Sequence, residues 1–273
     1  MLAAAPLAAL AGRLGRGATR KFTIGVTDWN LKLGAKPDAV PLAASLGFEG
    51  VQVSFGRRIV NDKLPLDSPD LLQRYVSLSR EHHIPIDGTC VDRLHDNGLK
   101  SDPLAVQWVR DSIRLTHALG TRVLLLPFFG KWAIQNQDEG NHVADALREV
   151  TAEAEKAGVI LGLEDTLSAE DNVRIMDRAK SPNVLVYYDV GNSTEAGFDV
   201  VKEIRWLGKD RICQIHLKDN PNYLGEGKID FPAVLQAMKD IGYSAWANLE
   251  TDTHPGAKVE DDMRKNLGYL KAQ

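Results

Sequence analysis

Four short stretches carry residues able to bind a cation or move a proton: "GLED" with Glu164, "YYDVGN" with Asp189, "QIHLKD" with His216 and "NLETD" with Glu250. Each follows apolar or amide residues and precedes a polar segment. Taken singly, each has an ordinary reading. An Asp before Gly-Asn is a turn former, a lone Glu can pair with a nearby Lys or Arg, and a lone His can be a satisfied core residue. Brought together, three carboxylates repel one another strongly at neutral pH unless a cation lies among them. An oxygen-rich set with one imidazole suits Mn²⁺, Co²⁺ or Mg²⁺ better than a sulfur-rich zinc or iron site.

The elements that would position them follow from periodicity. From Lys21 onward, β-rich runs alternate with longer segments of helical period. The runs are "FTIGVTD" (22–28), "FEGVQVSF" (48–55), "IPIDGTCV" (84–91), "RVLLLPFF" (122–129), "VILGLED" (159–165), "VLVYYDV" (184–190), "ICQIHLKD" (212–219) and "WANLETD" (246–252). Between them, stretches such as 103–120 and 142–158 place apolar residues at i, i+3, i+4 and i+7. Gly47, Gly120, Gly158 and Gly242 stand where helices should end. Such alternation implies right-handed βαβ units and a parallel sheet. Eight units in a chain of 273 residues fit a single closed (β/α)₈ TIM barrel over residues 21–273 better than an open doubly wound sheet. The loop after the first strand, "VTDWNLKLG", lacks both GxGxxG and GxxxxGK[ST]. In a barrel, the ends of strands five to eight share one edge of the mouth, so the four residues converge there.

Composition bounds the rest. The chain is 44% hydrophobic and 26% charged with a formal charge of −4, a balance that predicts an ordered protein and disfavours nucleic acid as a partner. Cys90 and Cys213 lie in apolar runs and read as two buried free thiols. Residues 1–20 are Ala/Leu-rich and then basic, too short an apolar stretch to span a bilayer. They read equally as a leader segment or as the residue of a secretory signal, so the expected location is cytoplasmic, or exported if the second reading holds. No membrane partner is expected.

The second half of the chain, through "GLEDTLSAE", "VYYDVGN", "QIHLKD" with "GEGKIDF", and "LE", resembles the xylose-isomerase-like TIM barrels, often described as sugar phosphate isomerases/epimerases, and the likeness extends over residues 22–272. The group includes ketose 3-epimerases, hydroxypyruvate isomerase, inosose dehydratase and AP endonucleases. The resemblance implies a single divalent ion, Mn²⁺ or Co²⁺ favoured and Mg²⁺ also compatible, held by Glu164, Asp189, His216 and Glu250. It implies that Glu164 and Glu250 remove and return a proton beside a carbonyl through an enediolate. It assigns Glu170 to the substrate as well, against the plain reading of a helix-surface Glu.

Two positions depart from the epimerase pattern. A His is expected where this chain has Asn192, and an Arg where it has Asn222. Both would orient the carbonyl end of a ketose, so the metal chemistry transfers better than the substrate. His95, Lys131 and Lys218 are candidate replacement contacts, with solvated loop residues as the plain alternative. Trp29, Phe55, Phe129 and Trp132 stand at or beyond strand ends, where rings suit a sugar's C–H face, although core packing is the default for each. The expected activity is a metal-dependent sugar isomerase or epimerase acting on a sugar or related polyhydroxy carbonyl compound. A metal-dependent lyase or dehydratase on a keto-sugar or keto-inositol shares its first step. A non-catalytic carbohydrate-binding subunit and an AP endonuclease rank below, the latter because strand two ends "VSFGRR" without the His a trinuclear zinc site needs. Free sugars are favoured over phosphates, for want of an Arg cluster after strands seven and eight. A homo-oligomer is compatible with the sequence.

Overall fold

The computed structural model describes residues 22–273, and the reading of residues 1–20 lies outside them. Eight strands form one closed parallel barrel in sequence order. They are β1 (Thr23–Thr27), β2 (Gly50–Ser54), β3 (Ile86–Cys90), β4 (Val123–Pro127), β5 (Ile160–Glu164), β6 (Val184–Asp189), β7 (Ile212–Leu217) and β8 (Trp246–Leu249). Each lies inside its expected run. Closure is made by β8 against β1, with Thr23 opposite Trp246 and Val26 opposite Leu249.

The helices are α1 (Ala39–Leu46), α2 (Pro69–Glu81), α3 (Pro103–Ala118), α4 (Gln137–Arg148), α5 (Thr151–Ala157), α6 (Ala169–Ala179), α7 (Val190–Glu195), α8 (Val200–Leu207), α9 (Phe231–Asp240) and α10 (Val259–Lys271). Local chemistry starts and stops them. Ser68, Asp102, Asn136, Ser168, Asp199 and Asp230 each accept a backbone N–H of the turn they open. Gly47, Gly120, Gly158 and Gly242 have φ of +85°, +79°, +67° and +70°, the left-handed turn in which helices end.

Two local expectations need correction. The helical stretch 142–158 is divided between α4 and α5 at Val150, which is 1% exposed and leaves the helical region with φ −122°. The polar segment that follows Asp189 is helical from its first residue rather than a turn. Asp189 Oδ1 accepts the Asn192 N–H at 2.8 Å and thereby caps α7.

The larger hydrophobic core lies between strands and helices, and a smaller cluster of Cys90, Val123, Leu125, Tyr187 and Cys213 fills part of the barrel interior. Both cysteines are free and buried. Much of the remaining interior is polar: Gln52, Asp87, Gln214 and Asn248 are each at most 3% exposed. Buried polar groups of this kind are as a rule hydrogen-bonded, and these four are linked into one network. Among the described residues, no helix is long and apolar enough to cross a membrane.

Candidate active site

The last residues of β5 and β6 are Glu164 and Asp189, His216 is the penultimate residue of β7, and Glu250 directly follows β8. Strand pairing sets Asp189 opposite His216. All four therefore reach the same rim, and one ligand atom from each lies within 4.8 Å of the others. His216 Nδ1 is 2.7 Å from Glu164 Oε1, 3.4 Å from Glu250 Oε2 and 3.6 Å from Asp189 Oδ2. Glu164, Asp189 and His216 are buried, and Glu250 is nearly so.

Lys218, two residues beyond His216, adds a cation that sequence reasoning placed only as a tentative contact. Its ammonium stands 2.7 Å from Glu250 Oε2 and 2.9 Å from Asp189 Oδ2, though the second approach lacks hydrogen-bond alignment. Gly191 makes this approach possible, since a Cβ there would lie 2.5 Å from Lys218 Cγ. Glu250 is held from its other oxygen as well, by the Trp29 indole N–H at 2.9 Å.

The charges follow from burial and proximity. Burial opposes protonation of His216, but the Glu250 and Glu164 carboxylates outweigh it and lift the imidazole to about 10. Burial raises Glu164 to about 7 against the pull of His216, helped by the Glu250 and Asp189 charges. For Asp189 burial is overcome by the Lys218 ammonium and His216, which hold its carboxyl below the usual range.

The donor set suits a divalent ion. It is rich in carboxylate oxygen, carries one imidazole and contains a buried oxygen, Asp189 Oδ2, that makes no hydrogen bond. Among the described residues it is the one group of this kind.

Glu164, Lys218 and Glu250 line a cavity of about 420 Å³ whose remaining wall includes Trp29, Arg57, Asp92, His95, Phe129 and Asn192. His95 stacks on Phe129 with ring centroids 5.8 Å apart. Burial raises the Asp92 carboxyl to about 6 even though it accepts the Gly56 N–H. Sequence reasoning missed Arg57 and Asp92, because a charged residue just past a strand end is common and carries no distinguishing signal.

Other expected contacts lie elsewhere. Glu170 is exposed in the first turn of α6 and does not line the cavity, since that helix turns Ala169 and Asn172 inward. Lys131 lies over the Trp132 ring at 4.9 Å, and neither lines the cavity. Phe55 is a fully buried core residue. Asn222 lines a separate neighbouring cavity beside Lys218.

A closed (β/α)₈ barrel with a carboxylate–imidazole cluster at its C-terminal mouth defines a class of barrel protein whose chemistry is built at the strand ends. Within that class, the chain belongs to the xylose isomerase-like TIM barrel family, whose sequence model matches residues 40–273. It is 29% identical over 205 residues to the 2-epi-5-epi-valiolone 7-phosphate 2-epimerase of an Actinoplanes species, covering 72% of this chain and 73% of that one. It is 28% identical over 233 residues to the putative L-ribulose-5-phosphate 3-epimerase SgbU of Escherichia coli K12, covering 76% and 80%. The fold matches that of D-allulose 3-epimerase from Methylomonas sp. in complex with D-allulose, with a TM-score of 0.73, 15% identity and coverage of 93% and 97%.

Proposed function

We propose that this chain is a divalent-metal-dependent sugar epimerase or isomerase that moves a proton at the carbon beside a carbonyl. The observation that carries this reading is the convergence of one ligand atom each from Glu164, Asp189, His216 and Glu250 to within 4.8 Å, with Glu164 and Glu250 lining a cavity of sugar size. The epimerase relatives support it. A divalent ion held by these four residues would supply polarisation of the substrate carbonyl and neighbouring hydroxyl, which makes the adjacent C–H acidic.

The protein's own groups do the remainder. Glu164 and Glu250 sit in contrasting settings, and such a difference suits a pair that exchanges acid and base roles. Glu250 accepts from Trp29 and Lys218, which leaves it an aligned acceptor for a substrate proton. Glu164 lines the same cavity from β5 and suits the return of a proton there. Lys218 balances negative charge that develops on the substrate oxygens. Trp29 and Phe129 offer ring faces to the substrate, and Asn192 a polar contact.

A lyase reading is favoured by one observation. Asp92 brings a further carboxyl, raised to about 6, to the same cavity, where it could protonate a leaving hydroxyl after the shared first step. One experiment separates the readings: protein loaded with Mg²⁺ is incubated in D₂O with ketoses, their phosphates, keto-inositols and 3-keto-glycosides, and products are assigned by NMR. Metal-dependent deuteration beside the carbonyl with an epimeric product supports the epimerase. Loss of water with an unsaturated product supports the lyase. No exchange in protein shown to hold metal would sink both.

A further inference from the structure

Beneath the cluster, five buried polar side chains cross the barrel interior, and the only anchor they need is a backbone carbonyl. Gln214 Nε2 donates to the Asp87 carbonyl oxygen at 2.6 Å. A carbonyl can only accept, so this contact fixes which end of the Gln214 amide is nitrogen and turns Oε1 toward Asn248. Asn248 Nδ2, with two protons to give, faces three acceptors and must share one of them: the Tyr187 hydroxyl at 3.1 Å, Gln214 Oε1 at 3.3 Å and Asp87 Oδ1 at 3.3 Å.

The Tyr187 hydroxyl accepts from Asn248, so it spends its own proton on Gln52 Oε1 at 3.0 Å. The same Gln52 oxygen lies 2.8 Å from His216 Nε2. An amide oxygen cannot donate, so Nε2 carries the proton. The amide keeps this orientation although it leaves Gln52 Nε2 buried without a partner. Reversing it would leave the Tyr187 proton with no acceptor. The Tyr187 ring, 4.4 Å from the imidazole, and the Trp29 ring, 5.9 Å away edge-on, hold the His216 plane.

We infer that Gln52 is a positioning residue that keeps a proton on His216 Nε2, so that the Nδ1 proton, which faces Glu164 Oε1 at 2.7 Å, is the one given up when a divalent ion lodges among Glu164, Asp189 and Glu250, with the Tyr187–Asn248–Gln214 chain setting the direction of its amide. This rests on the metal-dependent reading of the cluster. Ligating imidazoles commonly owe their tautomer to the partner of the other nitrogen. Here that partner is a neutral amide in the barrel interior, on β2, a strand that contributes none of the four cluster residues.

The test uses the full chain with Mn²⁺ affinity read by electron paramagnetic resonance, and Zn²⁺ as a diamagnetic probe for NMR of ¹⁵N-histidine-labelled protein. Gln52→Met, which removes the acceptor, should weaken Mn²⁺ binding roughly 10- to 100-fold. Gln52→Glu, which retains an oxygen acceptor, should bind within a few-fold of the parent. Tyr187→Phe keeps the volume but frees the amide to turn, and should lose roughly tenfold; it carries the test if Gln52→Met does not fold. In Zn²⁺-loaded parent protein the His216 ring should bear its proton on Nε2 and the metal on Nδ1. A proton on Nδ1, or equal weakening in Gln52→Met and Gln52→Glu, overturns the inference. The metal reading fails separately if the parent binds neither ion. The tautomer assignment is then read from the ring ¹⁵N shifts of metal-free protein in its neutral imidazole form, above pH about 10, where a proton on Nε2 upholds it and a proton on Nδ1 refutes it.

Discussion

The indole N–H of Trp29, just past the first strand, donates at 2.9 Å to Glu250 Oε1, just past the last. The two residues are 221 positions apart, and only closure of β8 onto β1 brings them together. Hydrogen bonds to charged groups contribute about 1.5–3 kcal/mol. Trp29→Phe should therefore keep the fold and lower kcat by roughly tenfold or more, measured by steady-state kinetics in metal-saturated protein with circular dichroism as the control. An unchanged kcat would remove Trp29 from the aiming of Glu250.

Replacing either glutamate by its amide preserves volume and removes a proton acceptor. Glu250→Gln and Glu164→Gln should each lower turnover by about 10²–10⁴. Isotope exchange adds detail: a variant that lacks only the returning group should still wash deuterium into one epimer of the substrate. Parent-like turnover in both variants would rule out the two-glutamate mechanism.

Metal removal should be visible in stability as well as activity. A ligand that binds only the folded state at a hundredfold excess over its Kd stabilises by about 2.7 kcal/mol, roughly 5–10 °C in Tm for a chain of this size. Mn²⁺ should produce a rise of that order in chelator-treated protein, measured by calorimetry, and Asp189→Ala should largely lose it. The same rise in Asp189→Ala would place the ion elsewhere.

His95 provides a pH signature. Burial and the Arg57 guanidinium, opposed by Asp96, hold its imidazole down at about 4 against an ordinary 6.5. Between those values the unfolded chain binds a proton that the folded chain refuses, so folded stability falls as pH drops from about 6.5 to 4 and is unaffected above that window. In urea titrations, His95→Gln should lose less stability than the parent across this interval. Parallel pH profiles would show that His95 titrates normally.

The polar barrel interior leaves no room for an added methyl. A Cβ on Gly25 would stand 1.8 Å from Asn248 Oδ1 and 2.1 Å from Asp87 Oδ2, both buried. Gly25→Ala should destabilise by about 3 kcal/mol, the upper range for overpacking, through displacement of Asn248. A near-neutral change in denaturant midpoint would mean that the interior yields more easily than its packing implies.

Much of this protein is legible in its sequence because the relevant signals are local. The alternation of β-rich and helical periods predicts eight βα units and glycines mark where helices close, since each depends on contacts within a few residues. Placing Glu164, Asp189, His216 and Glu250 at strand ends is likewise local, and barrel geometry then implies their convergence. What tertiary structure alone decides is how side chains meet across the barrel. Strand register sets Lys218 between Asp189 and Glu250, turns Glu170 out to solvent and brings Gln52 from β2 beneath His216 of β7. Nothing in "VQVS" marks that glutamine beyond a polar residue in a buried run. Its partners lie up to 164 residues away, and their approach is fixed by closure of the sheet and the shared need of buried polar groups for hydrogen bonds.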